Sequence, residues 1–243
     1  MRRKLRSLAY FTENIAARMR AATWQMERHQ GTGTVLEIGC GRDLHTSLCA
    51  AVRFGKRVIA HDVERIAHIE LINFTLQHLG SVLRIAHTDD LRKIGVEYVV
   101  ADSISAIARF DGVVSTASFE HIPAWALENI FTVLCERVPS GGICTANIDY
   151  TDHWSYIEDV REDNFYYVGE ALWRILNTGS MHQNRLRHPD VLAMAARHGF
   201  RSQDVELAHF PRAIEAAKLT PRFSRYGVED LSISSAMIAW RRD

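Results

Sequence analysis

Asp149, Asp152 and His153 fall within one short stretch, Asp-Tyr-Thr-Asp-His, and Trp154 follows directly. Histidine titrates near neutral pH, and a neighbouring carboxylate orients its ring and tunes its basicity. The stretch therefore has the parts of a general base beside an apolar wall. Glu120-His121 is a second acid–histidine pair, and its bland reading is a turn that these two residues merely order. Residues 35–41, VLEIGCG, are of another kind. There β-formers run into a tight Gly39-Cys40-Gly41 turn, the shape that lets a backbone approach a nucleotide. An acid, Glu37, stands inside that strand.

The elements that would position these residues alternate along the chain. Residues 57–62 (RVIAHD), 97–102 (EYVVAD), 110–116 (FDGVVST) and 142–149 (GICTANID) read as strands. Between them, Ile69, Ile72, Leu76 and Leu79 share one helical face, as do Leu127, Ile130, Phe131, Leu134 and Val138. This alternation predicts an α/β fold, a mostly parallel sheet with helices on both faces. Residues 150–188 break the rhythm with Trp154, Tyr156, Phe165, Tyr166, Tyr167 and Trp173, and read as an inserted cap. Pro189 then opens a helix that ends at Gly199, and strands near 203–208 and 232–240 close the chain. At the start, Leu8, Phe11, Ile15 and Met19 lie at helical spacing behind Arg2, Arg3, Lys4 and Arg6, so an amphipathic helix packs on its own domain. A single domain results: residues 1–30 helical, 31–149 the nucleotide-binding core, 150–188 the cap, 189–243 the last helix and strands.

Composition narrows the function. The 243 residues are 47% hydrophobic, enough for a sizeable core, and the formal net charge is zero, which argues against nucleic acid as a partner. No apolar run approaches the ~18 residues of a membrane span. Cys40, Cys49, Cys135 and Cys144 form no CxxC pair and read as reduced thiols of a cytoplasmic protein. The histidines and cysteines show no metal-ligand spacing, so no metal is expected.

The suggestive polar residues all fall at strand ends, where open parallel sheets bind ligands: Gly39, Gly41, Asp62, Asp102, Ser115 and Asp149. A dinucleotide fingerprint, G-x-G-x-x-G, needs a third glycine where Leu44 stands. A nucleoside without phosphate fits better. S-adenosylmethionine carries a sulfonium and an ammonium that Glu37 would match, whereas a pyrophosphate would be repelled by it.

At this point the sequence resembles the class I S-adenosylmethionine-dependent methyltransferases, a Rossmann-like family with a seven-stranded sheet. The likeness is carried by VLEIGCG, Asp62, VVAD with Asp102, FDGVVSTASFEHIP and VPSGGIC, in that order. It implies that Gly39, Cys40 and Gly41 approach the methionine tail, Asp62 takes the ribose hydroxyls, and Asp102 takes the adenine amino group, with Ser103 and Ser115 nearby. It also implies S-adenosylhomocysteine as product. Asp43 replaces a glycine common in that family. The stretch from Asn147 to Phe200 is similar to a bacterial subgroup of unassigned substrate, with an Asp-His after strand five and an Asn-Arg-Leu-Arg before the last helix. By that likeness His153, Asp149 and His121 are candidates for catalysis. Asp152, Trp154, Asn184, Arg185 and Arg187 are candidates for binding the acceptor, a small molecule or glycan methylated at an oxygen. The duller reading of the arginines is ion pairing with Asp159, Glu162 or Asp163. A silent methyltransferase-like module and an NAD-linked oxidoreductase are the alternatives, and a homodimer is compatible with the sequence.

Overall fold

The computed structural model describes residues 14–156, 158–179 and 182–243; the expected first half of the N-terminal helix, with Leu8 and Phe11, lies outside them. In chain order come α1 (Ile15–Arg28), β1 (Thr34–Ile38), α2 (His45–Phe54), β2 (Arg57–Asp62), α3 (Ile69–His78), β3 (Val96–Val100) and β4 (Gly112–Thr116). Then follow α4 (Ala124–Arg137), β5 (Ile143–Asp149), α5 (Glu170–Leu176), α6 (His188–Arg197), β6 (Phe200–His209), α7 (Val228–Ser232) and β7 (Ile233–Arg242). The seven strands lie in one sheet in the order β3-β2-β1-β4-β5-β7-β6. β1 to β5 are parallel, and β7 inserts antiparallel between β5 and β6.

Strand alternation divides the core between the two faces. Val35 and Val114 pack with Leu48 and Ile72 under α2 and α3. Leu36 and Val113 pack with Leu127, Phe131 and Trp240 on the side of α4. Both neighbours on β1 are thus buried, which is why a central parallel strand reads as an unbroken apolar run. α1 is pinned to the sheet by polar contacts: Gln25 Nε2 donates to Thr116 Oγ1 at 2.8 Å and Thr145 Oγ1 donates to Gln25 Oε1 at 3.0 Å.

Three features differ from the sequence reading. α2 is a full helix that no apolar stripe announces, because His45 through Ala51 are buried all round. β3 ends at Val100, so Asp102 lies in the turn beyond it. The cap is larger than residues 150–188. Phe165, Tyr166 and Trp173 share a third cluster with Phe210, Ile214, Phe223 and Leu231 from the β6–β7 connection. Among the described residues no helix is long and apolar enough to cross a membrane.

Candidate active site

β1 and β4 are neighbours whose following connections run opposite ways, so a crevice opens beyond their carboxyl ends. The Gly39-Cys40-Gly41 turn lies there. Gly39 has φ +73°, and a Cβ on it would lie 2.2 Å from Ser118 Oγ and 2.6 Å from Ser118 Cβ. Ser118 Oγ instead donates to the Gly39 carbonyl at 3.0 Å, joining the loop to the turn after β4. The loop's own donors face inward. Gly39 N–H and Cys40 N–H both reach the His61 carbonyl at 2.9 Å, and Gly41 N–H reaches Asp62 Oδ2 at 3.1 Å.

Glu37 is almost fully buried, and its Oε2 accepts from the Ser47 amide at 2.9 Å and from the Ser47 hydroxyl. A carboxyl therefore already occupies the first turn of α2, where a bound phosphate would sit. Burial pushes Glu37 up to about 8, against the pull of the Ser47 contacts. An acid protonated more readily in the folded chain favours folding at low pH, and that gain is lost as pH rises through about 8. The stability difference between wild type and Glu37→Gln should accordingly drift against wild type from about pH 4.5 to 8. The drift should be on the order of 4 kcal/mol, and urea titrations at several pH values would measure it. A flat difference would show that Glu37 is ionised throughout.

Asp43 anchors this loop. Arg18 from α1 forks onto both its oxygens at 2.7 Å, and Thr75 from α3 donates at 3.3 Å. Burial alone would raise its carboxyl, but His45 and Arg18 hold it far below the usual range.

Other expected cofactor residues divide by exposure. Asp62 ends β2 and also accepts from the Glu64 amide at 3.3 Å. Asp102 is exposed and makes no hydrogen bond within the described residues, while Ser103 caps the short helical turn at Ile104–Ala106. Cys40 is buried. Ser115 is buried too and donates to the Ile38 carbonyl at 3.0 Å, so its hydroxyl ties β4 to β1 and is closed to a ligand.

Beyond β4 and β5 the two acid–histidine pairs meet. The His121 and His153 rings stand 4.8 Å apart, and His153 Nε2 lies 3.3 Å from Asp149 Oδ2. Asp149 also accepts from the Thr151 amide at 2.9 Å, the Thr151 hydroxyl at 2.6 Å and the Tyr156 hydroxyl. Burial raises its carboxyl, yet these contacts prevail and hold Asp149 below its ordinary value. Burial and then the His153 charge push His121 down to about 4, while its Nδ1 reaches the His182 carbonyl at 2.8 Å. Glu120 is 5% exposed and neither of its carboxylate oxygens has a partner. Burial, then the Asp149 charge, push it well above the carboxylate range.

The residues expected to bind the acceptor have other work. Asp152 is fully buried and accepts from the Trp154 amide at 2.9 Å and Asn164 Nδ2 at 3.2 Å, so it shapes the turn that carries His153. Trp154 packs against the cap cluster. Asn184 Nδ2 donates to the Phe119 and Ile122 carbonyls at 2.7 and 2.8 Å, clasping the Glu120-His121 turn. Arg185 pairs with Glu170 at 2.7 Å over the Trp173 ring. Arg187 is buried, donates to the Tyr150 and Ile233 carbonyls, and lies over the Tyr150 and Tyr166 rings. Arg187 joins cap to core, Arg185 is held within the cap, and neither pairs with Asp159, Glu162 or Asp163. Gln183, absent from the sequence reading, holds the other turn: its Oε1 accepts from His153 N–H at 2.9 Å and its Nε2 donates to the Thr151 carbonyl at 2.8 Å. A groove of about 500 Å³ lined by Met19, Trp24, Arg53 and Glu206 lies under α1 and does not include these strand ends.

No family model and no curated protein matches this chain. Solved structures do. A Bacillus halodurans protein provisionally assigned as a methyltransferase superposes with TM-score 0.56 at 17% identity, over 91% of this chain and 98% of the other. A geranyl diphosphate methyltransferase in complex with S-adenosylmethionine gives 0.55 at 17% identity, over 98% and 92%. The magnesium protoporphyrin IX methyltransferase of Synechocystis, with S-adenosylhomocysteine bound, gives 0.55 at 12% identity, over 92% and 80%. The fold is that of the class I methyltransferases, a seven-stranded Rossmann-like α/β sheet.

Proposed function

We propose that this chain is a cytoplasmic S-adenosylmethionine-dependent methyltransferase that methylates a small or medium-sized acceptor at an oxygen. One observation carries the cofactor reading. The glycine loop spends its first three N–H groups on His61 and Asp62, and a buried carboxyl fills the first turn of α2. With those donors engaged and a carboxyl at the first turn of α2, the loop is poorly suited to a pyrophosphate, which disfavours a dinucleotide. What stays open suits a cationic nucleoside: Gly41, where an added Cβ would meet nothing; Asp62 for ribose hydroxyls; and the unpartnered Asp102 for the adenine side. A bound ammonium would draw the proton from Glu37 beneath the loop, and the carboxylate so formed would complement it.

The cofactor supplies an activated methyl group. The chain's own work is to hold the acceptor in line, exclude water and receive a proton where the acceptor is a hydroxyl. The His153–Asp149 pair, 3.3 Å apart beside His121, supports an oxygen acceptor because it can take that proton. The structural neighbours act on acceptors as unlike as geranyl diphosphate and a magnesium porphyrin, so their chemistry does not name this one.

Calorimetric titration with S-adenosylmethionine, S-adenosylhomocysteine and NADH tests the reading. The two adenosyl ligands should bind and NADH should not. Asp62→Ala should weaken the adenosyl ligands about 100-fold, the loss of one charge-assisted pair to ribose. Binding of NADH alone would overturn the proposal. Adenosyl binding with no methyl transfer to any hydroxyl or carboxyl acceptor would leave a silent module.

A further inference from the structure

We propose that Glu120, His121 and His153 form a site for one divalent transition-metal ion on the acceptor side of the crevice. One ligand atom from each lies within 4.8 Å of the others. A tetrahedral ion with nitrogen and oxygen ligands at about 2.1 Å holds them about 3.4 Å apart, a closure that side-chain torsions supply. Two imidazoles and one carboxylate are the donor set that suits zinc, iron and their neighbours.

Independent observations point at a ligand. Glu120 is buried with both carboxylate oxygens unpartnered, and His153 Nε2 is buried with no hydrogen bond, only the 3.3 Å approach of Asp149 Oδ2. Buried polar groups are rarely left so, and a carboxylate least of all. His121 Nδ1 donates to the His182 carbonyl at 2.8 Å, which fixes the tautomer that leaves Nε2 with a free lone pair. Metal-binding histidines are oriented in this way by a carbonyl or carboxylate behind them. Asp149 Oδ2 lies 3.3 Å from His153 Nε2 itself, so this acid stands beside the proposed ion rather than behind the ring. Asp149 is held ionised and Glu120 neutral in the metal-free chain, and a divalent cation would displace the Glu120 proton and balance both carboxylates.

The surrounding chain holds both halves still. Asn184 clasps the Glu120-His121 turn through two carbonyls and its own N–H to the Glu120 carbonyl at 2.9 Å, and Gln183 clasps the turn of His153. Spacing along the sequence gave no metal signal because β5 and α4 separate the ligands in the chain while β4 and β5 pair in the sheet. A cavity of about 10 Å³ lined by Glu120, Ile148, Tyr150 and Leu186 is the competing account, since it has room for about one water. The ion's role rests on the oxygen-acceptor reading: it would polarise the acceptor oxygen and lower its proton affinity, in place of an imidazole base.

The full chain, stripped with a chelator, would be titrated with Zn²⁺ by calorimetry and with Co²⁺ by visible absorbance. One equivalent should bind with micromolar or tighter affinity, and Co²⁺ should show ligand-field bands. Glu120→Gln and His153→Gln should each weaken Zn²⁺ about 100-fold, while S-adenosylhomocysteine affinity and the melting profile of the metal-free protein stay near wild type. No stoichiometric binding, or binding undiminished in both variants, would overturn the site, and the buried acid would then be a water-bound neutral group. Metal binding without S-adenosylhomocysteine binding would instead sink the methyltransferase reading and leave the site standing.

Discussion

Replacing Arg18 with methionine should cost about 3–5 kcal/mol of stability, the range for stranding one partner of a buried ion pair. Methionine keeps the apolar stem of arginine, so packing against α2 is largely preserved. The charge is what is lost. The Asp43 side chain is 2% exposed and would exchange two 2.7 Å bonds from a guanidinium for Thr75 at 3.3 Å and His45 at 3.5 Å. In a chain of this length such a loss lowers the melting temperature by about 6–20 °C. The deficit should shrink on acidification. Arg18 is one of the causes that keep His45 from taking a proton, after burial itself, so its removal frees His45 to pair with Asp43. A second change, Asp43→Asn, removes the stranded charge and should recover part of the loss. If the double variant is no more stable than Arg18→Met alone, the pair is not what anchors the loop. Cofactor affinity should fall with the single variant, because the same pair fixes the path from Gly41 to α2.

That contact also marks the limit of what the sequence discloses. Strand ends and the glycine turn were legible because their signals are local: an apolar run, a turn residue, an acid at the carboxyl end. The parallel sheet followed from alternation, and Asp62, Asp102 and Asp149 fall at or just past the carboxyl ends of β2, β3 and β5. α2 was not legible, since a helix buried on every side shows no stripe. Ser115 looked like a site residue, but a hydroxyl at a strand end is as useful for satisfying a neighbouring carbonyl. The Asn184, Arg185 and Arg187 run looked like an acceptor clamp. Its partners are backbone carbonyls and Glu170, groups that any sequence supplies and no pattern points to. Half of the cap comes from residues 210–232, brought to residues 150–188 only by the β6–β7 connection. The Glu120–His121–His153 grouping belongs to the same class of fact: each pair is visible in the sequence, and their meeting depends on β4 and β5 lying side by side.

Gly39→Ala should be the most damaging single methyl group in the chain. Its φ of +73° costs an L-residue about 1–2 kcal/mol. The added Cβ would also lie 2.2 Å from Ser118 Oγ and 2.6 Å from Ser118 Cβ, distances that no rotation of Ser118 can relieve because its Cβ is itself in the way. Either the loop or the turn after β4 must move, and that turn carries Glu120 and His121. The expected result is a loss above about 3 kcal/mol together with adenosyl binding too weak to measure. Pairing it with Ser118→Gly separates the two causes. Ser118→Gly alone should cost about 1–2 kcal/mol, for its bonds to the Gly39 and Thr116 carbonyls at 3.0 and 3.2 Å. In the double variant the clash is gone and only the backbone penalty stays, so stability should rise above that of Gly39→Ala by denaturant titration. Recovery of adenosyl binding in the same protein would show that Gly39 serves the cofactor by letting the two loops close on each other. Recovery of stability without binding would mean that the loop meets the cofactor at Gly39 itself, where even one methyl group is too large.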